Sequence, residues 1–218
     1  MGTIKTSTRF ASIAWSTSPN NSFPLGIIAG GMIDGSVHIW DPHAILNGEP
    51  ALLATIKEHG HGAVKALHFN TIETHMLATG GSEGQVVIVD LSNPRQPVTS
   101  LPAGAPTKGA EVTQVAWNSQ VAHIVAAAGS DGLVTVWDLK SKRPWCELRA
   151  DMMSISAMAW NPTEGLHLVT ASVDDRNPLL KLWDLRASTT MPLATLQGHS
   201  QGILGLAWCP HDDSLLLS

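Results

Sequence analysis

Three side-chain types that together can cleave an acyl bond, a carboxylate, an imidazole and a hydroxyl, recur through this chain. The carboxylates are Asp34, Glu83, Asp131 and Asp174, the imidazoles His59, His61 and His199, and the hydroxyls Thr79 and Thr170. In a nucleophilic triad the carboxylate orients the imidazole, the imidazole takes the hydroxyl proton, and an oxyanion hole holds the developing charge. Such catalysis needs one asymmetric site. Here the same polar types return at regular intervals, as buried groups do when they satisfy one another inside a repeated unit. The ten histidines include His59-Gly60-His61, but no HExxH helix and no cysteine-rich partner accompanies them, so no zinc site is expected. Gly80-Gly81 leads into a strand turn rather than a helix and makes no phosphate cradle. No catalytic residue, cofactor or metal is expected.

The interval belongs to the elements that carry these groups. Four segments end in a β-rich stretch closed by aspartate: Val37-His38-Ile39-Trp40-Asp41, Val86-Val87-Ile88-Val89-Asp90, Val134-Thr135-Val136-Trp137-Asp138 and Leu180-Lys181-Leu182-Trp183-Asp184. Their aspartates lie 49, 48 and 46 residues apart. Upstream, an aromatic recurs five times, as Trp15, Phe69, Trp117, Trp160 and Trp208. Five positions before it stand Phe10, Val64, Val112, Ile155 and Ile203, and two positions before it Ile13, Leu67, Val115, Met158 and Leu206. The residue just before the aromatic is alanine in all copies but the second, which has His68. One bulky face and one mostly small face predict an inner strand packed on both sides.

Between these anchors lie short β-type runs: Ile27-Ile28-Ala29, Met76-Leu77-Ala78, Ile124-Val125-Ala126 and Leu168-Val169-Thr170. Asp34-Gly35, Glu83-Gly84 and Asp131-Gly132 then predict tight hairpins, because glycine takes positive φ without a steric cost. After each aspartate a fourth run follows, Leu52 to Ile56, Val98 to Leu101, Trp145 to Leu148 and Leu193 to Leu196. Every unit is therefore expected to be a four-stranded antiparallel meander. The expected units are 9–57, 58–106, 107–150, 151–197 and a partial 198–218, all in one domain.

Four strands per unit, a period in the forties, Trp-Asp pairs and the upstream Gly198-His199 resemble the WD repeat of all-β propellers. Leucine-rich and helical repeats are excluded by the long period and by the absence of 3.6-residue periodicity. In the WD-repeat family a His, a Ser or Thr, an Asp and the Trp form a hydrogen-bonded tetrad within a blade. By that resemblance the structural positions are Asp34, Trp40 and Asp41 in the first unit, with Gly30 where the hydroxyl belongs. The second has Thr79, Glu83 in place of Asp, Val89 in place of Trp, Asp90, and His59 or His61. The third has Asp131, Trp137 and Asp138 with Ala127 at the hydroxyl position. The fourth has Thr170, Asp174, Trp183 and Asp184, with Asp175-Arg176-Asn177-Pro178 inserted in its turn, and the fifth keeps His199.

Composition narrows the partners. With 218 residues and 44% hydrophobic content the chain is no disordered segment. Thirteen basic against eighteen acidic residues, a formal net charge of −5, give no broad attraction to nucleic acid or anionic lipid. The run Leu25 to Ile33 is broken by glycines and far short of the roughly 20 residues that span a bilayer. No secretory signal is expected, and Cys146 and Cys209 are expected as reduced, half-buried thiols of a cytosolic protein. Met1-Gly2-Thr3-Ile4-Lys5-Thr6 fits the loose myristoylation pattern without a polybasic second anchor, and Asn20-Asn21-Ser22 reads as a polar loop rather than a glycosylation site.

Several stretches resemble one family more closely: Phe10-Ala11-Ser12-Ile13-Ala14-Trp15, Ala78-Thr79-Gly80-Gly81 with Gly84, Ala116-Trp117-Asn118 with Ala122-His123, and Gly198 to Cys209 joined to Leu215-Leu216-Leu217-Ser218. In this order along the whole chain they are similar to the N-terminal propeller of the large WD-repeat subunit of the outer COPII vesicle coat. The resemblance implies a cytosolic scaffold of export from the endoplasmic reticulum, peripheral on that membrane and on the vesicle. Its implied partners are proteins, a smaller WD-repeat subunit and other coat subunits, with contacts mostly outside this stretch. It also implies a propeller of seven blades, of which this chain holds four and part of a fifth. The alternative is a WD-repeat scaffold of another complex, a substrate receptor or a chromatin-associated subunit.

Overall fold

A computed structural model describes residues 2–16, 23–60, 62–100 and 109–218. Strands dominate it. The first sheet contains β1 (Phe10–Ser16), β2 (Ile27–Met32), β3 (Val37–Trp40) and, after a short helix α1 (Pro42–Asn47), β4 (Leu52–Ile56). The second contains β5 (Val64–Phe69), β6 (Met76–Gly81), β7 (Val86–Asp90) and β8 (Val98–Ser100). The third contains β9 (Val112–Trp117), β10 (Ile124–Gly129), β11 (Leu133–Asp138) and β12 (Arg143–Arg149), and the fourth β13 (Ile155–Trp160), β14 (His167–Ser172), β15 (Leu180–Asp184) and β16 (Ala194–Leu196). A two-stranded fifth sheet pairs β17 (Ala207–Cys209) with β18 (Asp212–Leu217). Within each four-stranded sheet the spatial order is the chain order and every pairing is antiparallel. The first strands β1, β5, β9, β13 and β17 lie side by side. This is a WD-repeat β-propeller architecture.

Each sheet must bury two faces, which explains why strands such as Val86-Val87-Ile88-Val89 are apolar throughout. Because side chains alternate across a strand, Val87 and Val89 pack with Val37 and Ile39 of the first sheet, whereas Val86 and Ile88 pack with Val112, Val115 and Trp117 of the third. Val134, Val136 and Leu148 of the third sheet meet Ile155, Trp160 and Trp183 of the fourth. Val169 and Leu180 of the fourth meet Ile203 and Trp208 of the fifth. The core is thus a series of interlayers between successive sheets.

The hairpins between second and third strands carry Gly35, Gly84 and Gly132 at φ of 85°, 82° and 77°. In the first, Gly35 N bonds Met32 O and Met32 N bonds Ser36 O, a turn followed by a left-handed residue that only glycine adopts cheaply. Helix α1 is an element the repeat pattern does not foretell. Asp41 caps it by accepting from His43 N, Pro42 opens it, and Gly48 closes it at φ 73°. Those three residues were its signal in the sequence. Cys146 and Cys209 are free and half-buried. His61, Leu101, Met1 and the Asn20-Asn21-Ser22 stretch lie outside the described residues. Among the described residues no helix is long and apolar enough to cross a membrane.

Candidate functional site

The described polar residues singled out by spacing lie inside the sheets or in the turns and loops at their ends, and the second, third and fourth sheets arrange them differently. In the second, His59 Nε2 and Thr79 Oγ1 are 2.6 Å apart and Thr79 donates its hydroxyl hydrogen to Val87 O at 3.2 Å. Nε2 is thus satisfied, whereas the buried Nδ1 has no partner. His59 is buried, its ring stacked so near Gly81 that a Cβ there would sit 2.6 Å from Nδ1. Burial pushes its pKa down to about 4. Glu83, in the turn where the family places Asp, lies near Gly60 and makes no bond to His59.

In the fourth sheet Trp183 Nε1 donates to Thr170 Oγ1 at 3.0 Å. The third sheet has Ala127 at that position, and Trp137 Nε1 and the neighbouring Thr135 Oγ1 are both buried without a partner. In the first sheet the ring of Trp40 lies over Gly30, where a Cβ would come within 2.6 Å of it, so no hydroxyl residue fits. The fifth repeats the second: His199 Nε2 lies 2.8 Å from Ser218 Oγ. Ser218 aligns with Thr79 by register, since Leu67 pairs with Thr79 and Trp208 with Leu216 just as Phe69 pairs with Leu77.

One cluster has the composition of a hydrolytic triad. Ser36 Oγ donates to Asp34 Oδ1 at 2.7 Å and lies 3.2 Å from His38 Nε2. The hydroxyl sits between carboxylate and imidazole, whereas a triad needs the imidazole in the middle to pass the proton. The Ser36 hydroxyl and then its amide hold the Asp34 carboxyl below its ordinary pKa, and burial lowers that of His38. The set closes a turn. Asp131 and Asp174 do the same at their turns, accepting from Leu133 N and Arg176 N.

The aspartate ending each third strand has its own local task. Asp41, Asp90, Asp138 and Asp184 accept from the amide two residues on, at His43, Ser92, Lys140 and Arg186, with distances of 2.8 to 2.9 Å. Such Asx turns redirect the chain away from the sheet.

Sequence reasoning missed the groups that tie one sheet to the next. Asn70, Asn118 and Asn161, each just after the aromatic of an inner strand, are buried. Their Oδ1 atoms accept two amides of their own loop. Their Nδ2 atoms reach the following sheet, at Ala122 O (2.7 Å), Gly165 O (2.6 Å) and Asp213 O (3.1 Å). Ser16 does likewise toward Thr74 O at 3.3 Å. In the reverse direction Trp117, Trp160 and Trp208 donate their indole N–H to His68 O, Ala116 O and Ala159 O of the preceding inner strand. The signal was present as the recurrence Phe69-Asn70, Trp117-Asn118, Trp160-Asn161.

Tandem meanders packed face to face, with His–hydroxyl or Trp–hydroxyl bonds within sheets, define a WD-repeat propeller. The chain belongs to the β-propeller family described as nucleolar protein 10-like, N-terminal domain, which matches residues 4–177, and residues 190–218 match the WD domain, G-beta repeat. Over its whole length it is similar to the protein transport protein SEC31. The Dictyostelium discoideum protein is 38% identical over 228 residues and the Chaetomium globosum protein 42% over 219, in each case across 100% of this chain. The solved structure "COPII on membranes, outer coat vertex" matches 97% of this chain and 56% of its own with a TM-score of 0.82 and 32% identity. The resemblance to the large outer-coat subunit drawn from the sequence therefore stands. The chain spans 17% of the length of these SEC31 relatives.

Proposed function

We propose that this chain is the propeller portion of a structural subunit of the COPII outer coat in transport from endoplasmic reticulum to Golgi, and that it works by protein contact rather than catalysis. The observation that carries the reading is collinear similarity to SEC31 over 100% of the chain, joined to the TM-score of 0.82 with a coat-vertex structure. The order of Asp34, Ser36 and His38, with the hydroxyl in the middle, supports the non-enzymatic part. On this reading the protein is cytoplasmic and peripheral on the endoplasmic reticulum and vesicle membranes, and its partners are a smaller WD-repeat subunit and other coat subunits. The WD-repeat positions act as the internal frame that keeps the loop-bearing rims in place. Affinity isolation of the full-length protein from its own cells tests this: a small WD-repeat partner and inner-coat proteins are expected. Recovery of a ubiquitin-ligase or chromatin complex in their place defeats it.

A further inference from the structure

The outer rim of the third sheet departs from the rest of the molecule in charge, exposure and edge length. Although the chain carries a net charge of −5, Lys140, Lys142 and Arg143 fall together at the turn from β11 into β12, and Arg149 ends β12. All four are exposed. The ion pairs among the described residues use Lys65, His123, His167 and Lys181 instead. The nearby Asp138 is engaged by the Lys140 and Ser141 amides and lies 3.9 Å from His123, which leaves Glu147 as the carboxylate on this strand. Lys142 adopts φ 54°, the sole positive value of a non-glycine among the described residues.

Within β12 the aromatic side chain is presented outward. Cys146 pairs with Val136 and Pro144 with Trp137, so Trp145 is the extra residue of a β-bulge, and it is 46% exposed. Bulges re-aim a side chain in this way. β12 is also the outermost strand of its sheet and has seven residues, against five in β4 and three each in β8 and β16. Its outer side therefore offers the longest row of unpaired backbone groups among the outer strands described. Charges, a bulge and a proline such as Pro144 guard an edge against indiscriminate pairing. An exposed indole adds nothing to that guard. Cations reject basic or plain apolar strands and admit acidic ones, so the same devices select a partner.

We propose that β12 is the docking edge for an extended acidic segment of a partner protein, which adds as a further strand outside it. Carboxylates near both ends of the segment meet Arg149 and the Lys140, Lys142 and Arg143 group, about 20 Å apart at ~3.3 Å per residue, and an apolar side chain covers Trp145. Strand addition supplies backbone hydrogen bonds along the row of cations. An anionic lipid surface or a nucleic acid would leave those backbone groups unpaired.

A fluorescein-labelled peptide of sequence DEVTVED, titrated against the full-length protein by fluorescence anisotropy, tests the edge. Saturable binding is expected that weakens at least about tenfold in the Lys142→Glu, Arg143→Glu double variant, with the variant's fold checked by circular dichroism. A peptide of the same charge with alternate amides N-methylated is expected to lose binding, and this arm needs no variant. Equal affinity for the double variant, or undiminished binding of the methylated peptide, overturns the proposal. So does binding of phosphatidylserine vesicles or polyuridylate at this rim while the acidic peptide fails to bind.

Discussion

A buried imidazole has to stay neutral to stay folded, and His59 does so with a single nitrogen satisfied. An unfolded histidine titrates near pH 6.5 and folded His59 at about 4. Between those values the unfolded chain binds the proton and the folded chain does not, so stability is full above about pH 6.5 and falls as pH drops toward 4. The shift corresponds to a loss on the order of 3 kcal/mol. Urea denaturation of the wild type and of His59→Gln from pH 7 to 4 is expected to give the steeper loss in the wild type. The aspartates held below their ordinary pKa, such as Asp34 and Asp90 through their serine bonds, weaken both proteins alike and cancel in the difference. Parallel curves would rule out the buried neutral imidazole. At this scale the sequence was legible in residue type and spacing but not in partnership. Spacing left His59 and His61 as alternatives, and it gave no hint that Ser218 stands to His199 as Thr79 stands to His59.

Between elements, the asparagine that follows the inner-strand aromatic in the second, third and fourth sheets holds its own loop and at the same time grips the next sheet. The two tasks separate in one substitution. Asn118→Asp keeps the oxygen that accepts from Gln120 and Val121 amides and replaces the donor to Gly165 O with a second acceptor facing a carbonyl. A buried carbonyl deprived of its donor and set against a carboxylate is expected to cost about 2 to 3 kcal/mol, against roughly 0.5 kcal/mol for a surface change. Equilibrium denaturation measures it, and hydrogen exchange places the loosening in the loop around Gly165. A variant as stable as the parent would mean that the apolar interlayer alone joins third and fourth sheets. The strands were legible because alternation and glycine-bearing turns are local properties. The asparagine link was not, because its partner lies 47 residues away in the next sheet and no periodicity within a strand reports it. Helix α1 was overlooked for another reason: the repeat pattern assigns Asp41 to a strand end, and the same residue also caps a helix.

At the scale of the whole chain, faces that need neighbours remain open at its two end sheets. Ile13 and Trp15 of β1 are 63% and 56% exposed, while the equivalent Val115 and Trp117 of β9 are 5% and 3%. The positions are the same in sequence, and only the presence of a preceding sheet differs. At the other end Leu204, in the segment before β17, and Leu217 of β18 are 85% and 74% exposed. Expressed alone, the 218-residue polypeptide is therefore expected to self-associate through these faces, and sedimentation velocity should show a broad, concentration-dependent distribution. Ile13→Thr combined with Leu217→Thr keeps or adds β-branching while making each face less apolar, and is expected to shift that distribution toward monomer. Faces of this kind are covered when further blades of the same propeller pack on them, so a longer polypeptide carrying those blades should stay monomeric with Ile13 in place and be strongly destabilised by Ile13→Thr. A monodisperse monomer of the 218-residue chain that melts cooperatively would show that the two faces need no neighbour, and with it the packing rule that makes every sheet two-sided would fail.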